Sequence, residues 1–149
     1  MKMVNSLVGR SVVAAVSLVA VVCLFSGIGR AADAGALQML VKEGVGYYLA
    51  DALGTTLYIF TKDQENKNSC TGDCLKNWPI FHAEKIIAPA GSSQKEYGEF
   101  TRADGAKQST FKGWPLYYFA GDKAQGDTKG QGVKQVWYVI NPVVMKSCD

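Results

Sequence analysis

Beyond about residue 45 the apolar positions do not recur at the three- and four-residue intervals of a helix. Short runs rich in Tyr, Phe, Val and Thr are broken instead by Gly, Asp and Asn. This pattern predicts an all-β domain of short antiparallel strands, sandwich- or barrel-like, with at most short helices. Gly46 to Ala50 and Thr56 to Phe60 read as strands joined around Asp51-Ala52-Leu53-Gly54, a hairpin turn in which the glycine can take a positive φ. Phe100 to Arg102 and Ser109 to Phe111 flank a second such turn at Asp104-Gly105, and Leu116 to Phe119 and Val136 to Ile140 complete the second half. Ahead of these, Ala34 to Lys42 has the spacing of an amphipathic helix and would serve equally as a flexible lead into the domain. Pro89 to Ser93 reads as a loop, and the glycine-rich stretch Gly121 to Lys134 as a long exposed one.

The strand pattern repeats. Gly54-Thr55-Thr56-Leu57-Tyr58-Ile59-Phe60-Thr61-Lys62-Asp63 returns as Gly113-Trp114-Pro115-Leu116-Tyr117-Tyr118-Phe119-Ala120-Gly121-Asp122, and Trp78 returns as Trp137, at a constant offset of 59 residues. Both copies read Gly-x-x-Leu-Tyr-x-Phe-x-x-Asp, which argues for a duplicated structural unit with repeats at about 46–82 and 98–141. Alternation places Tyr58 and Phe60 on one face and Leu57 and Ile59 on the other. With both faces apolar, the strand is expected to be central. Asp63 and Asp122 then fall just past the strand ends, where a carboxylate accepts backbone N–H bonds and fixes a turn. A sharper alternative makes the Tyr and Asp of the motif a polar pair lining a pocket.

Residues 1–31 have the form of an export signal: Lys2 and Arg10, an apolar run from Ser11 to Gly29, then the small residues Ala31, Ala32 and Ala34. Cleavage after Ala31 leaves one domain, residues 32–149, long enough to bury its own core. If uncut, the same run is long enough to anchor the chain in a membrane. Cleavage also removes Lys2, Arg10 and Arg30, three of 16 basic residues, against 13 acidic ones. The remaining charge is balanced and offers no electrostatic footprint for nucleic acid or an anionic membrane surface. Cys70, Cys74 and Cys148 survive processing, and an oxidising compartment favours pairing two of them.

The paired phrases Tyr58 to Asp63 and Tyr117 to Asp122 resemble those of predicted secreted lipoproteins defined by a Tyr-x-aromatic-x-x-Asp motif. The resemblance includes Asp51 and Gly54 as an Asp-x-x-Gly lead-in, and Cys70, Cys74, Trp78 and Pro79 as a Cys-x-x-x-Cys segment running into Trp-Pro. It extends to the Arg102 to Gly105 turn and to Pro115 to Tyr117. That family is of unknown function, so the resemblance implies a secreted or envelope β-rich repeat and no particular chemistry. Two positions depart from it. Cys23 follows Ala20-Val21-Val22, with valine where a lipidation signal needs a small residue, and Thr110 stands in the second copy where the first has Asp51.

Candidate chemistry centres on Cys70-Thr71-Gly72-Asp73-Cys74. If Thr71 caps a short helix ending before Pro79, the two thiols approach at a separation that a disulfide accepts. The rival arrangement keeps them as thiolates on a soft metal together with His82, the only histidine, or with Cys148. A c-type haem signature is absent, which leaves only non-standard haem or copper ligation through His82, Met39, Met145 or a cysteine. No Gly-x-Ser-x-Gly, His-Glu-x-x-His or phosphate-loop pattern accompanies His82. Asp122 and Asp127 lack the spacing of an EF-hand loop and would offer at most a weak calcium site.

The residues therefore predict an exported, periplasmic or envelope binding or interaction module, non-enzymatic, with no cofactor required by the sequence and with an unknown envelope protein or small ligand as its partner. Nucleic acid is excluded, and membrane attachment is restricted to an uncleaved or lipidated N-terminus. The alternative is a small redox, metal- or haem-handling protein using Cys70, Cys74 and His82.

Overall fold

The computed structural model describes residues 35–145. The expected export segment, Cys23 and Cys148 lie outside the described residues. In chain order the elements are β1 (Gln38–Lys42), β2 (Gly46–Ala50), β3 (Tyr58–Phe60), α1 (Asp73–Asn77), β4 (Tyr97–Thr101), β5 (Lys107–Phe111), β6 (Trp114–Pro115), β7 (Trp137–Val139) and α2 (Pro142–Met145). Single 3-10 turns lie at Gln94–Glu96 and Val133–Gln135. The architecture is all-β, made of short antiparallel strands in small sheets.

The amphipathic helix expected over Ala34 to Lys42 is replaced by β1, which pairs along its whole length with β2, Met39 opposite Leu49 and Val41 opposite Tyr47. Gly44 and Gly46 take positive φ and turn the chain straight back. A nine-residue helix gains little on its own. The extended form instead gives each ladder position a partner and sends Leu37 and Leu40 to different cores. The other turns follow their residue chemistry. Asp51 Oδ1 accepts the Leu53 and Thr55 N–H groups, each at 2.9 Å, and Gly54 has φ 79°. Asp104 accepts the Ala106 N–H at 3.0 Å beside Gly105, φ 81°.

Each copy contributes a hairpin, a motif strand and a returning strand, and the copies interlock rather than sit side by side. β3 of the first copy pairs with β7 of the second, Tyr58 opposite Val139 and Phe60 opposite Trp137. The reciprocal pairing joins Tyr117 to Ile80. Matching backbone bonds, Thr61 N–H to Val136 C=O and Ala120 N–H to Asn77 C=O, are both 2.8 Å. The two motif strands meet at Tyr58 and Tyr117, whose backbones exchange bonds of 2.8 and 2.9 Å. A local two-fold relation runs through that pair. Regular strand in the second motif is confined to Trp114–Pro115, because Tyr117 is held between Tyr58 and Ile80 rather than in one continuous ladder.

The alternation within the motif sorts the two faces into two cores. Leu57 and Leu116, with Ile59 and Tyr118 packed alongside, belong to an aliphatic core containing Leu49, Phe81, Phe111 and Ile140. Tyr58 and Tyr117, with Phe60 and Phe119, belong to an aromatic core containing Trp78 and Trp137. The motif strands are central in the sense the alternation predicts: Leu57, Tyr58, Leu116 and Tyr117 are completely buried.

Candidate functional site: an aromatic groove where the copies meet

The site begins with the tyrosine and aspartate of the repeated phrase. Tyr58 Oη donates to Asp122 Oδ2 at 2.6 Å, and Tyr117 Oη donates to Asp63 Oδ2 at 2.7 Å. Each tyrosine thus binds the aspartate of the other copy. Each aspartate uses its second oxygen to fix its own turn, Asp63 Oδ1 accepting from Ser69 N–H at 2.6 Å and Asp122 Oδ1 from Lys129 N–H at 2.9 Å. The motif therefore combines a core strand and a turn-capping carboxylate with a polar pair, and the pair is formed between copies. Burial raises both carboxyls above the ordinary carboxylate range against the pull of these donors, and it raises both tyrosines as well.

Above these pairs the duplicated aromatics form a column. Trp78 and Trp137 stack at 3.7 Å between ring centroids, 3° from parallel. Phe60 stacks on Trp137 at 4.3 Å and Phe119 packs against Trp78 at 4.4 Å with its ring tilted by 30°, so the order is Phe60, Trp137, Trp78, Phe119. Tyr58 meets Trp78 edge-on at 5.5 Å and Tyr117 meets Trp137 edge-on at 5.2 Å. Stacked and edge-to-face contacts of this kind add roughly 0.5–1.5 kcal/mol per pair beyond burial. The expected exposed loop Gly121 to Lys134 is only partly so: Gly130 is buried against Tyr58 and Trp78, and its N–H donates to Tyr58 Oη at 3.2 Å. The glycine permits that approach, since a Cβ there would stand 2.7 Å from the Tyr58 ring.

The column floors a groove of about 530 Å³, walled by Lys62, Cys74, Asn77, Val133, Lys134 and Val136. A second hollow of about 640 Å³ is lined between Ala83 and Glu99 and includes none of the duplicated residues. The groove is the better candidate site, because both copies build its floor from the same residues.

Cys70 and Cys74 are joined as a disulfide with Cα atoms 5.4 Å apart. Thr71 is not the cap of α1. Gly72 occupies that position with no side-chain cap, because its positive φ of 56° turns the chain into the helix. Arg102, which carried no role in the sequence reading beyond its turn, is buried and donates to the Cys70 carbonyl at 2.8 Å, so the second copy braces the disulfide segment. His82 lies elsewhere, its Nε2 3.1 Å from Glu99 Oε2, while Lys107 holds Glu99 Oε1 at 2.7 Å. Lys107 and then His82 lower the Glu99 carboxyl. Met145 packs on the aliphatic core, and Met39 in β1 faces Leu49. Among the described residues, His, Cys, Asp and Glu side chains form no group of three or more able to hold a metal ion. Asp122 and Asp127 are engaged by protein donors, Asp127 by the Lys123 and Ala124 N–H groups and the Lys129 ammonium.

A tandem β repeat whose copies exchange strands and side-chain partners defines the class of protein. A family model, Lipoprotein_15, described as a secreted repeat of unknown function, matches residues 39–82 and again 98–141. The chain belongs to that family, as the Tyr-x-aromatic-x-x-Asp resemblance implied, and it is an exported protein. No curated protein and no solved structure matches it.

Proposed function

We propose that this domain is a non-enzymatic binding module of the periplasm or cell envelope, delivered by the signal at 1–31, and that the aromatic groove is its ligand site. The observation carrying this reading is the groove itself: about 530 Å³, floored by Phe60, Trp137, Trp78 and Phe119. Ligand sites are commonly concave, roughly 300–1,000 Å³, and mostly apolar with a few polar groups. The lining contains no carboxylate, histidine or hydroxyl, and its cysteine is closed in a disulfide. That inventory suits holding a molecule better than transforming one.

The reading is tested with a neutral aromatic probe, N-phenyl-1-naphthylamine, on the mature chain. Saturable binding at one site, with a change in emission from Trp78 and Trp137, is expected. Val133→Trp, which places an indole in the groove wall, should abolish it while leaving the folded state intact by circular dichroism. Undiminished binding in Val133→Trp, or no binding to the unaltered chain, would overturn the reading. Export is checked by fractionation and intact mass, which should give a chain beginning at Ala32.

A further inference from the structure

The floor of the groove obeys the two-fold relation between copies, and its charge does not. Phe60 corresponds to Phe119 and Trp78 to Trp137, whereas the counterparts of Lys62 and Lys134 at the same offset are Gly121 and Leu75. Both lysines belong to one end. Phe60 faces Trp137 at the end of the β3–β7 ladder and the Thr61 N–H bonds the Val136 carbonyl, so Lys62, in the turn that follows Phe60, and Lys134, in the turn that precedes Trp137, both leave the ladder at that end. Every charged residue lining the groove is therefore cationic and lies just past the Phe60–Trp137 pair. Neither ammonium group has an ionic partner among the described residues.

The backbone under this end is held in an unusual conformation. Lys134 and Gln135 have φ of 51° and 57°, two consecutive non-glycine residues in the left-handed region. Such residues are strained and persist where surrounding structure fixes them. Here the bond from Gly132 N–H to Trp137 C=O, 2.8 Å, closes the segment and ties its conformation to the groove floor. The opposite end carries Asn77 and the disulfide, with no charge.

We propose that the groove takes an amphipathic anion: an apolar, preferably aromatic body lying on the column, with a carboxylate, sulfonate or phosphate at the Lys62 and Lys134 end. This rests on the groove being the ligand site. The matched floor supplies affinity that is indifferent to direction, and the lysines fix the orientation. Both lysines are exposed, so their contribution is screened by salt, while burial of the apolar body is not.

Two probes sharing one body separate the terms: 1-anilinonaphthalene-8-sulfonate and neutral N-phenyl-1-naphthylamine, titrated into the mature chain. The sulfonate is expected to bind about tenfold more tightly at low salt, a difference of about 1.4 kcal/mol. The double variant Lys62→Gln/Lys134→Gln should erase that preference and leave the neutral probe's affinity unchanged, which also shows the groove to be intact. Equal affinities for the two probes in the unaltered chain, or a preference that survives the double variant, would overturn the anion assignment while the groove stands as a binding site. Failure of the sulfonate alone would likewise overturn only the anion assignment, whereas failure of the neutral probe to bind, or binding insensitive to Val133→Trp, would remove both readings together.

Discussion

The exchange of partners between copies makes a quantitative prediction that a motif acting within each copy does not make. Tyr58→Phe keeps the buried ring and removes only the oxygen that donates to Asp122 at 2.6 Å and accepts from Gly130 N–H at 3.2 Å. A hydrogen bond to a charged group contributes about 1.5–3 kcal/mol, and an orphaned buried N–H adds about 1 kcal/mol more. Tyr58→Phe should therefore cost about 3 kcal/mol and Tyr117→Phe, which loses the Asp63 bond and leaves no backbone N–H orphaned, about 2 kcal/mol. At roughly 4 °C per kcal/mol for a domain of this size, both shifts are well resolved in thermal melts. The decisive assay is a set of double-mutant cycles by urea denaturation, pairing each Tyr→Phe with each Asp→Asn. Tyr58 with Asp122, and Tyr117 with Asp63, should couple by about 0.5–3 kcal/mol. The pairs within one phrase, Tyr58 with Asp63 and Tyr117 with Asp122, should add to within about 0.5 kcal/mol. Coupling within the phrases as large as coupling between them would refute the exchange.

The remaining predictions concern pH, packing and redox state. Asp63 and Asp122 have raised folded-state values, so their contribution to stability is complete below the unfolded value near pH 4 and is lost as pH rises through the folded value. Thermal melts should accordingly show stability holding or rising between neutrality and about pH 5, and Asp63→Asn/Asp122→Asn should flatten that dependence; a steep loss over the same interval that the double variant leaves unchanged would contradict it. Gly130→Ala drives a methyl group against the Tyr58 and Trp78 rings, at 2.7 and 2.9 Å, and should cost about 1–3 kcal/mol in chemical denaturation, whereas Gly132→Ala, with open space around it, should show only the smaller strain of its positive φ. The Cys70–Cys74 ring encloses little chain, so reduction should lower stability by about 2 kcal/mol or less and increase amide exchange around residues 70–78 without unfolding the domain. Global unfolding on reduction would show that the Arg102 bond to the Cys70 carbonyl depends on the disulfide.

Much of this domain follows from sequence because its determinants are local. Period-two alternation assigned Leu57 and Ile59 to one face and Tyr58 and Phe60 to the other, and the two faces became two separate cores. Asp51 and Gly54, and Asp104 and Gly105, announced their turns through side-chain oxygens and positive φ, which need no distant partner. The duplicated Trp78 and Trp137 marked a repeated unit. Where local signals conflict, as from residue 34 to 42, periodicity over so few residues could not tell a helix from a strand, and the availability of β2 decided.

What the sequence alone determined is therefore the faces, the turns and the existence of two equivalent copies. Tertiary structure decided which copy completes which. The offset of 59 residues is the same whether the motif strands pair within copies or between them, so it carries no information about partners. Asp63 and Tyr117 are 54 positions apart, and Tyr58 and Asp122 are 64 apart. Alternation fixes the face a side chain uses and is silent on what lies across it. The groove is a consequence of that choice: only when the copies interlock do two tryptophans from separate turns stack at 3.7 Å, and only then do Lys62 and Lys134 arrive at the same end of one aromatic floor.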